Sequence, residues 1–145
     1  MRTPTYPETR YAPVRPVNLA SKDERARLSA SAVKGFFRLA KRWNLRDAEA
    51  KQLLGGVTNG PYYEMKRHPD DRVLDPDTLL RISYVLGIFT ALNSLHGQPL
   101  ADEWISLPNS NRIFSGGTPL GYLIQGGLPA MSTVRRLLDA RQAGL

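Results

Sequence analysis

The sequence contains no cysteine and only two histidines among its 145 residues. With no thiol there is no disulfide framework, no thiolate nucleophile, no iron–sulfur cluster and no cysteine-based zinc site. A reducing compartment is compatible with that composition. His68 and His96 lie far apart in the chain without carboxylates beside them, a poor start for a metal site. His68 falls in a polar loop, and His96 at a helix end, where capping is the simpler role. No uninterrupted apolar run approaches the roughly 18 residues of a bilayer span. The first residues, Met1-Arg2-Thr3-Pro4-Thr5-Tyr6-Pro7, lack the apolar stretch of a secretory signal. These absences lead us to expect a cytoplasmic protein without a membrane partner.

Catalytic groupings are equally scarce. Asp70-Asp71 and Asp102-Glu103 are adjacent pairs at helix or loop starts, where compensation of the helix dipole explains them. The pairs Gly55-Gly56, Gly116-Gly117 and Gly126-Gly127 occur without the Gly-Lys-Ser/Thr or Gly-x-Gly-x-x-Gly context of a phosphate loop, and read as helix stops. No catalytic residue, metal or cofactor is assigned. The reading is a non-enzyme that works by binding.

What the sequence does have is apolar content and positive charge. It is 41% hydrophobic, enough for a real core, and carries a net charge of +7. That excess sits early: residues 21–45 hold seven Lys or Arg against Asp23 and Glu24, whereas residues 68–98 hold two against four acidic residues. Nucleic acid is the partner such a balance raises, through phosphate contact rather than base reading.

Periodicity predicts an all-α fold. Residues 1–20, with Pro4, Pro7, Pro13 and Pro16, read as an extended arm, ordered if something packs on Tyr6, Tyr11 or Val14. Ser21-Lys22-Asp23-Glu24 is a capping-box start for a first helix. Leu28, Ala32, Phe36, Leu39 and Trp43 form its apolar stripe, with Lys34, Arg38 and Lys41 on the opposite face. A short helix from Asp47, its expected N-cap, to Leu54 is ended by Gly55-Gly56. Thr58 caps a second short helix to about Arg67, with Pro61 tolerated in its first turn. Asp75-Pro76 opens a long helix to about Leu95, so apolar that a core or a dimer interface must cover it. After the break at Gly97-Gln98-Pro99 come a short helix over 100–105 and a loop. Thr118-Pro119 then starts a helix stopped by Gly126-Gly127, and a last amphipathic helix runs over 129–141. In that helix Val134, Leu137 and Leu138 face inward, and Arg135, Arg136 and Arg141 outward.

Residues 47–67 have the outline of a helix-turn-helix, whose second helix enters the major groove. Thr58 and Asn59 stand at its start and Tyr62 and Tyr63 beyond, as base-edge candidates, with Lys66 and Arg67 toward phosphate.

The order of several short motifs is more specific. Trp43-x-Leu45, Leu53-Leu54-Gly55 with Val57-Thr58, Leu79-x-Arg81-Ile82-Ser83 and Leu86-Gly87-Ile88 are followed by Phe114-Ser115-Gly116-Gly117-Thr118-Pro119-Leu120, then by Gly126-Gly127 and Val134-Arg135-Arg136-Leu137-Leu138-Asp139-Ala140. Over residues 25–142 the chain resembles the Xre/ParS/MbcA family of antitoxins that partner RES-domain toxins. The departures are Pro61 where many members have Thr, Met65 where they have Trp, and Gly121 where an acidic residue is frequent. The proline-rich arm at 1–20 has no counterpart in the family; beyond it the resemblance implies an Xre-like helix-turn-helix and dimerisation domain at 21–96, and a small helical toxin-binding domain at 97–145. It implies a homodimer that covers the active-site entrance of a NAD-consuming RES-type toxin, either a NADase or an ADP-ribosyltransferase, and that represses its own operon by binding operator DNA. Arg135, Arg136, Asp139, Arg141, Gly144 and Leu145 are the toxin-facing candidates under that reading. The alternative is a free-standing helix-turn-helix repressor with no toxin partner.

Overall fold

A computed structural model describes residues 18–144, and among these there are six α-helices and no strand. They are α1 (Lys22–Arg42), α2 (Asp47–Leu53), α3 (Asn59–Arg67), α4 (Pro76–Leu95), α5 (Leu100–Glu103) and α6 (Pro119–Gln142), with single 3-10 turns at Pro69–Asp71, Trp104–Ser106 and Arg112–Phe114. The all-α expectation holds. The arm expected over 1–20 falls almost wholly outside the described residues.

Helix starts follow the sequence signals closely where a short polar side chain precedes proline. Asp75 caps α4 by accepting a hydrogen bond from the Thr78 N–H at 2.7 Å, with Pro76 at the first helical position. Thr118 does the same for α6 through the Gly121 N–H at 3.1 Å, ahead of Pro119. Two expected caps differ. Arg46, not Asp47, is the N-cap of α2, and its backbone N–H donates to the Glu49 carboxylate at 3.0 Å. Thr58 stands at the N-cap of α3, but its hydroxyl makes no capping bond.

The core is one continuous cluster running from Val33 in α1 to Leu138 in α6, so the expected division near residue 97 does not divide the packing. Its axis is α4, which packs against α1 on one side and α6 on the other. Leu79, Ile82, Val85, Ile88 and Leu92 are buried there at helical spacing. Although polar residues such as Asp77, Arg81 and Asn93 interrupt its apolar sequence, α4 is long and apolar enough to cross a membrane by length and composition. Leu79, Ile82, Val85, Ile88, Ala91 and Leu92 are instead buried in the core, while Leu80 stays exposed and Leu86 only partly covered. In α1 the stripe is turned by one residue in its first half. Ser29 and Val33 are fully buried, whereas Leu28 and Ala32 are only partly covered.

Ser29 explains how the loop before α4 is tied down. Its hydroxyl donates to the Arg25 carbonyl and accepts from the Leu74 N–H at 2.9 Å, in a site with no solvent exposure. Ser29→Ala leaves the buried Leu74 N–H without a partner. We expect a loss of about 1–3 kcal/mol in urea unfolding with an unchanged m-value.

Candidate functional site

Two surfaces concentrate the candidate residues. The first is the α2–turn–α3 unit. Its turn depends on Gly55 and Gly56, at φ of 101° and 83°, values that side-chain-bearing residues rarely adopt. The crossing of the two helices is fixed by one carboxylate. Asp47 accepts hydrogen bonds from the Tyr62 hydroxyl at 2.7 Å and the Tyr63 hydroxyl at 3.3 Å, and the Lys66 ammonium lies 3.4 Å away. Those donors, the Tyr62 hydroxyl first, hold the Asp47 carboxyl below its ordinary range. Burial, followed by the adjacent Asp47, pushes the Tyr62 phenol up.

This knot changes the reading of α3. Tyr62 is 1% exposed and, with Met65 one turn on, faces the core. Its ring packs edge-on against Phe37 and Tyr63. It therefore does not present its edge to a base, and its expected base-edge role is corrected. The i, i+3 placement of Tyr62 and Met65 was visible in the sequence, but which face of a nine-residue helix turns inward was not. The other candidates do share the outer surface. Thr58, Asn59, Tyr63, Lys66 and Arg67 are exposed, with Asn59 accepting from Lys51 at 2.6 Å and Arg67 lying 3.6 Å from Glu64. Lys66 also sits over the Phe37 ring at 5.9 Å. Beside it, Lys34, Arg38 and Lys41 of α1 flank a groove of about 310 Å³ between α1 and the end of α3. Lys34 pairs with Asp70 at 2.9 Å, while Arg38 and Lys41 have no ion-pair partner among the described residues. The charge stripe on α1 is thus continuous with Lys66, which sequence spacing within one helix could not show.

The second surface is the C-terminal half of α6. Gly127, at φ 61° and ψ −141°, breaks the helix as the Gly126-Gly127 pair predicted, and Pro129 lies in the next turn. The segment beyond it buries Ala130, Met131, Val134 and Leu138 against α4, and leaves Arg136, Asp139, Arg141 and Gly144 exposed. Leu145 lies outside the described residues. Arg135 departs from the outward position expected for it. Its Nε donates to both Asp139 oxygens, at 3.0 and 3.1 Å, and its guanidinium occupies the space beside Gly87 of α4 where a side chain would stand. A Cβ at residue 87 would stand 1.5 Å from the Arg135 Nη1, so glycine is what admits the arginine there. The loop leading into this module is braced by Trp104, Phe114 and Tyr122, stacked edge to face in sequence. Among the described residues no group of three or more His, Asp or Glu side chains could hold a metal.

The fold and its two surfaces define the class: a small all-helical protein in which a helix-turn-helix-like unit and a C-terminal helical module share one core. No protein-family profile and no solved structure matches the chain. A protein of Sinorhizobium fredii, uncharacterized protein y4oB, is 34% identical over 113 residues, 77% of this chain and 84% of the relative. The chain belongs to the same family as y4oB.

Proposed function

We propose that this protein is a proteinaceous inhibitor of the antitoxin type, which binds a NAD-consuming RES-type toxin and covers its active-site entrance with the end of α6. The reading rests on the sequence motifs that resemble such antitoxins. The observation that carries it furthest is the build of the last helix: its inner face is anchored in the core, while Arg136 and Arg141 project from an exposed end that closes on Gly144 at φ 79°. Such cations suit the carboxylate- or carbonyl-bearing rim of a partner's pocket, because arginine binds anionic or carbonyl-rich surfaces through several donors at once. The site of action would be the cytoplasm, where NAD is available to the partner.

A second activity, repression of its own operon, is favoured by the exposure of Thr58, Asn59 and Tyr63 along the start of α3. The same surface on its own supports the rival reading, a repressor without a toxin.

Deleting residues 130–145 is not an informative test, since it removes Met131, Val134 and Leu138 from the core. The full chain carrying Arg136→Glu and Arg141→Glu is the sharper probe, as both side chains are exposed. Co-expression with a growth-arresting RES-domain toxin from the same genome should restore growth with the native chain and fail with the double variant. Loss of a single anchoring arginine is worth about 2 kcal/mol, or roughly 30-fold in affinity. Thermal unfolding should be nearly unchanged. Neutralisation undiminished by the double variant would remove the occlusion mechanism. Promoter binding that is lost with Asn59→Ala yet kept in the double variant, with no toxin co-purifying, would favour the repressor.

A further inference from the structure

Arg81 belongs to the Leu79-x-Arg81-Ile82-Ser83 motif, and neither of the two surfaces above uses it. It projects from α4 into a cleft of about 300 Å³, whose lining includes Gln52 and Gly55 at the end of α2 and Gln125 and Gly127 in α6. The Arg81 side chain is only 19% exposed. A guanidinium carries five N–H donors. Here the Nε–H donates to the Asp77 carboxylate at 2.8 Å, and the Nη groups have no hydrogen-bond partner among the described residues. They are not sealed from solvent either, so these donors are open to the cleft.

Two glycines place the fork. At Gly55, with φ at 101°, a Cβ would stand 3.1 Å from the Arg81 Nε, so a bare backbone is what lets the stem pass. At Gly127 a Cβ would stand 3.6 and 3.7 Å from Nη1 and Nη2, so the tip ends beside a residue with no side chain to cover it. Gln52 and Gln125 are exposed on the same cleft, each amide carrying both a donor and an acceptor. Charge selects the ligand. Asp77 already offsets part of the Arg81 charge, and among the described residues no second cation lines the cleft. A single negative charge shared by two coplanar oxygens matches the fork. A phosphate dianion would add two charges beside Asp77 with no further cation to meet them. The donor and acceptor of each glutamine amide are in turn the complement of a peptide group.

We propose that this cleft binds the carboxylate that ends a partner's peptide chain, with its two oxygens on the Arg81 Nη groups and the last peptide group against Gln52 and Gln125. Neither Arg136 nor Arg141 lines the cleft, so the site is separate from the end of α6. With no side chains at residues 55 and 127, the site recognises the terminus itself and leaves the partner's preceding side chains unread.

The test is an NMR titration of the full chain at constant ionic strength, read on the Arg81 Nε–H and Gly127 amide signals. N-acetyl-trialanine should shift both saturably with a Kd of about 1 mM, well inside a titration to ~50 mM. Its C-terminal amide should bind at least ~10-fold more weakly, because it forms no charge-assisted pair with the fork. Acetate should bind about 5-fold more weakly than the peptide, and Gln52→Ala with Gln125→Ala should reduce the peptide to the level of acetate. Arg81→Lys, read at Gly127, should lose at least ~10-fold, since an ammonium offers no fork. Arg136→Glu with Arg141→Glu should change nothing, which separates this site from contact with a toxin. The ligand comparison uses the native chain and stands even if Arg81→Lys does not fold. Equal binding of the acid and its amide, or no saturable shift, would overturn the proposal. Acetate as strong as the peptide would overturn it in favour of small free carboxylic acids. Inorganic phosphate stronger than the peptide would overturn it in favour of a phosphate site.

Discussion

Tyr62→Ala should cost about 3–5 kcal/mol in chemical denaturation, a large share of the stability of a domain of this size. The substitution removes a fully buried ring wedged against Phe37 and Tyr63 and also deprives Asp47 of its shortest hydrogen bond. Tyr62→Phe separates the two contributions. It keeps the ring and should cost about 1 kcal/mol, the usual net value of a hydroxyl hydrogen bond. Because the tyrosine faces the core, Tyr62→Phe should leave affinity for the upstream promoter within about twofold of the native chain. A tenfold loss of DNA affinity without a loss of stability would return Tyr62 to the reading surface.

The same pair gives a pH signature. Asp47 has an ordinary value of 3.8 and titrates lower in the folded chain, chiefly because the Tyr62 hydroxyl donates to its carboxylate. Below 3.8 the unfolded chain therefore holds more protons, and stability falls as the pH drops through the folded value. Tyr62 is shifted the opposite way from its ordinary value of 10.0, by burial and then by Asp47. Its contribution is complete below pH 10 and is lost as the pH rises further. Tyr62→Phe should flatten both limbs of the stability profile. An acid limb as steep as that of the native chain would assign the acid sensitivity to other carboxylates.

Gly127→Ala should destabilise the chain by about 1–3 kcal/mol, and Gly127→Val by more. At φ 61° and ψ −141° residue 127 occupies a region that only glycine enters without strain. Its surroundings would admit a Cβ, which would meet the Arg81 guanidinium nitrogens at 3.6 and 3.7 Å, ordinary contact distances, so the cost is conformational. Gly60→Ala is the matched control. Residue 60 lies in the first turn of α3 with no side chain of another element where a Cβ would go, so only the restriction imposed by Pro61 opposes replacement, which should cost less than about 1 kcal/mol. A clearly larger loss at residue 127 would establish that conformation decides the effect. The break also sets the direction of the segment carrying Arg135, Arg136 and Arg141. Neutralisation by the Gly127 variants should therefore fall further than their stability alone accounts for. Thermal midpoints measured beside growth rescue check this. Equal effects of the substitution at both glycines would contradict it.

Helix starts and stops were legible in the sequence because they depend on groups within three or four residues of one another. Asp75-Pro76, Thr118-Pro119 and Gly126-Gly127 lie where the structure places a cap, a cap and a break. The all-α class followed from the same local periodicity, and so did the burial of α4. Asp47 shows where such reading stops. By sequence it is an N-cap for its own helix, yet its carboxylate serves residues fifteen, sixteen and nineteen positions later. Arg135 is a parallel case: helical phase alone put it outward, and only the missing side chain at Gly87 on another helix makes room for it beside α4.

The sequence by itself determined the helical class, the punctuation of the helices and the early concentration of positive charge, because each is a property of neighbouring residues. Only the tertiary structure decided that both halves share one core and that Tyr62 faces inward. It also joined Lys66 to the basic stripe of α1 and left an apolar groove between α1 and α4. Those outcomes depend on which faces of distant helices meet, and that choice is made by packing around α4, where no local pattern reaches.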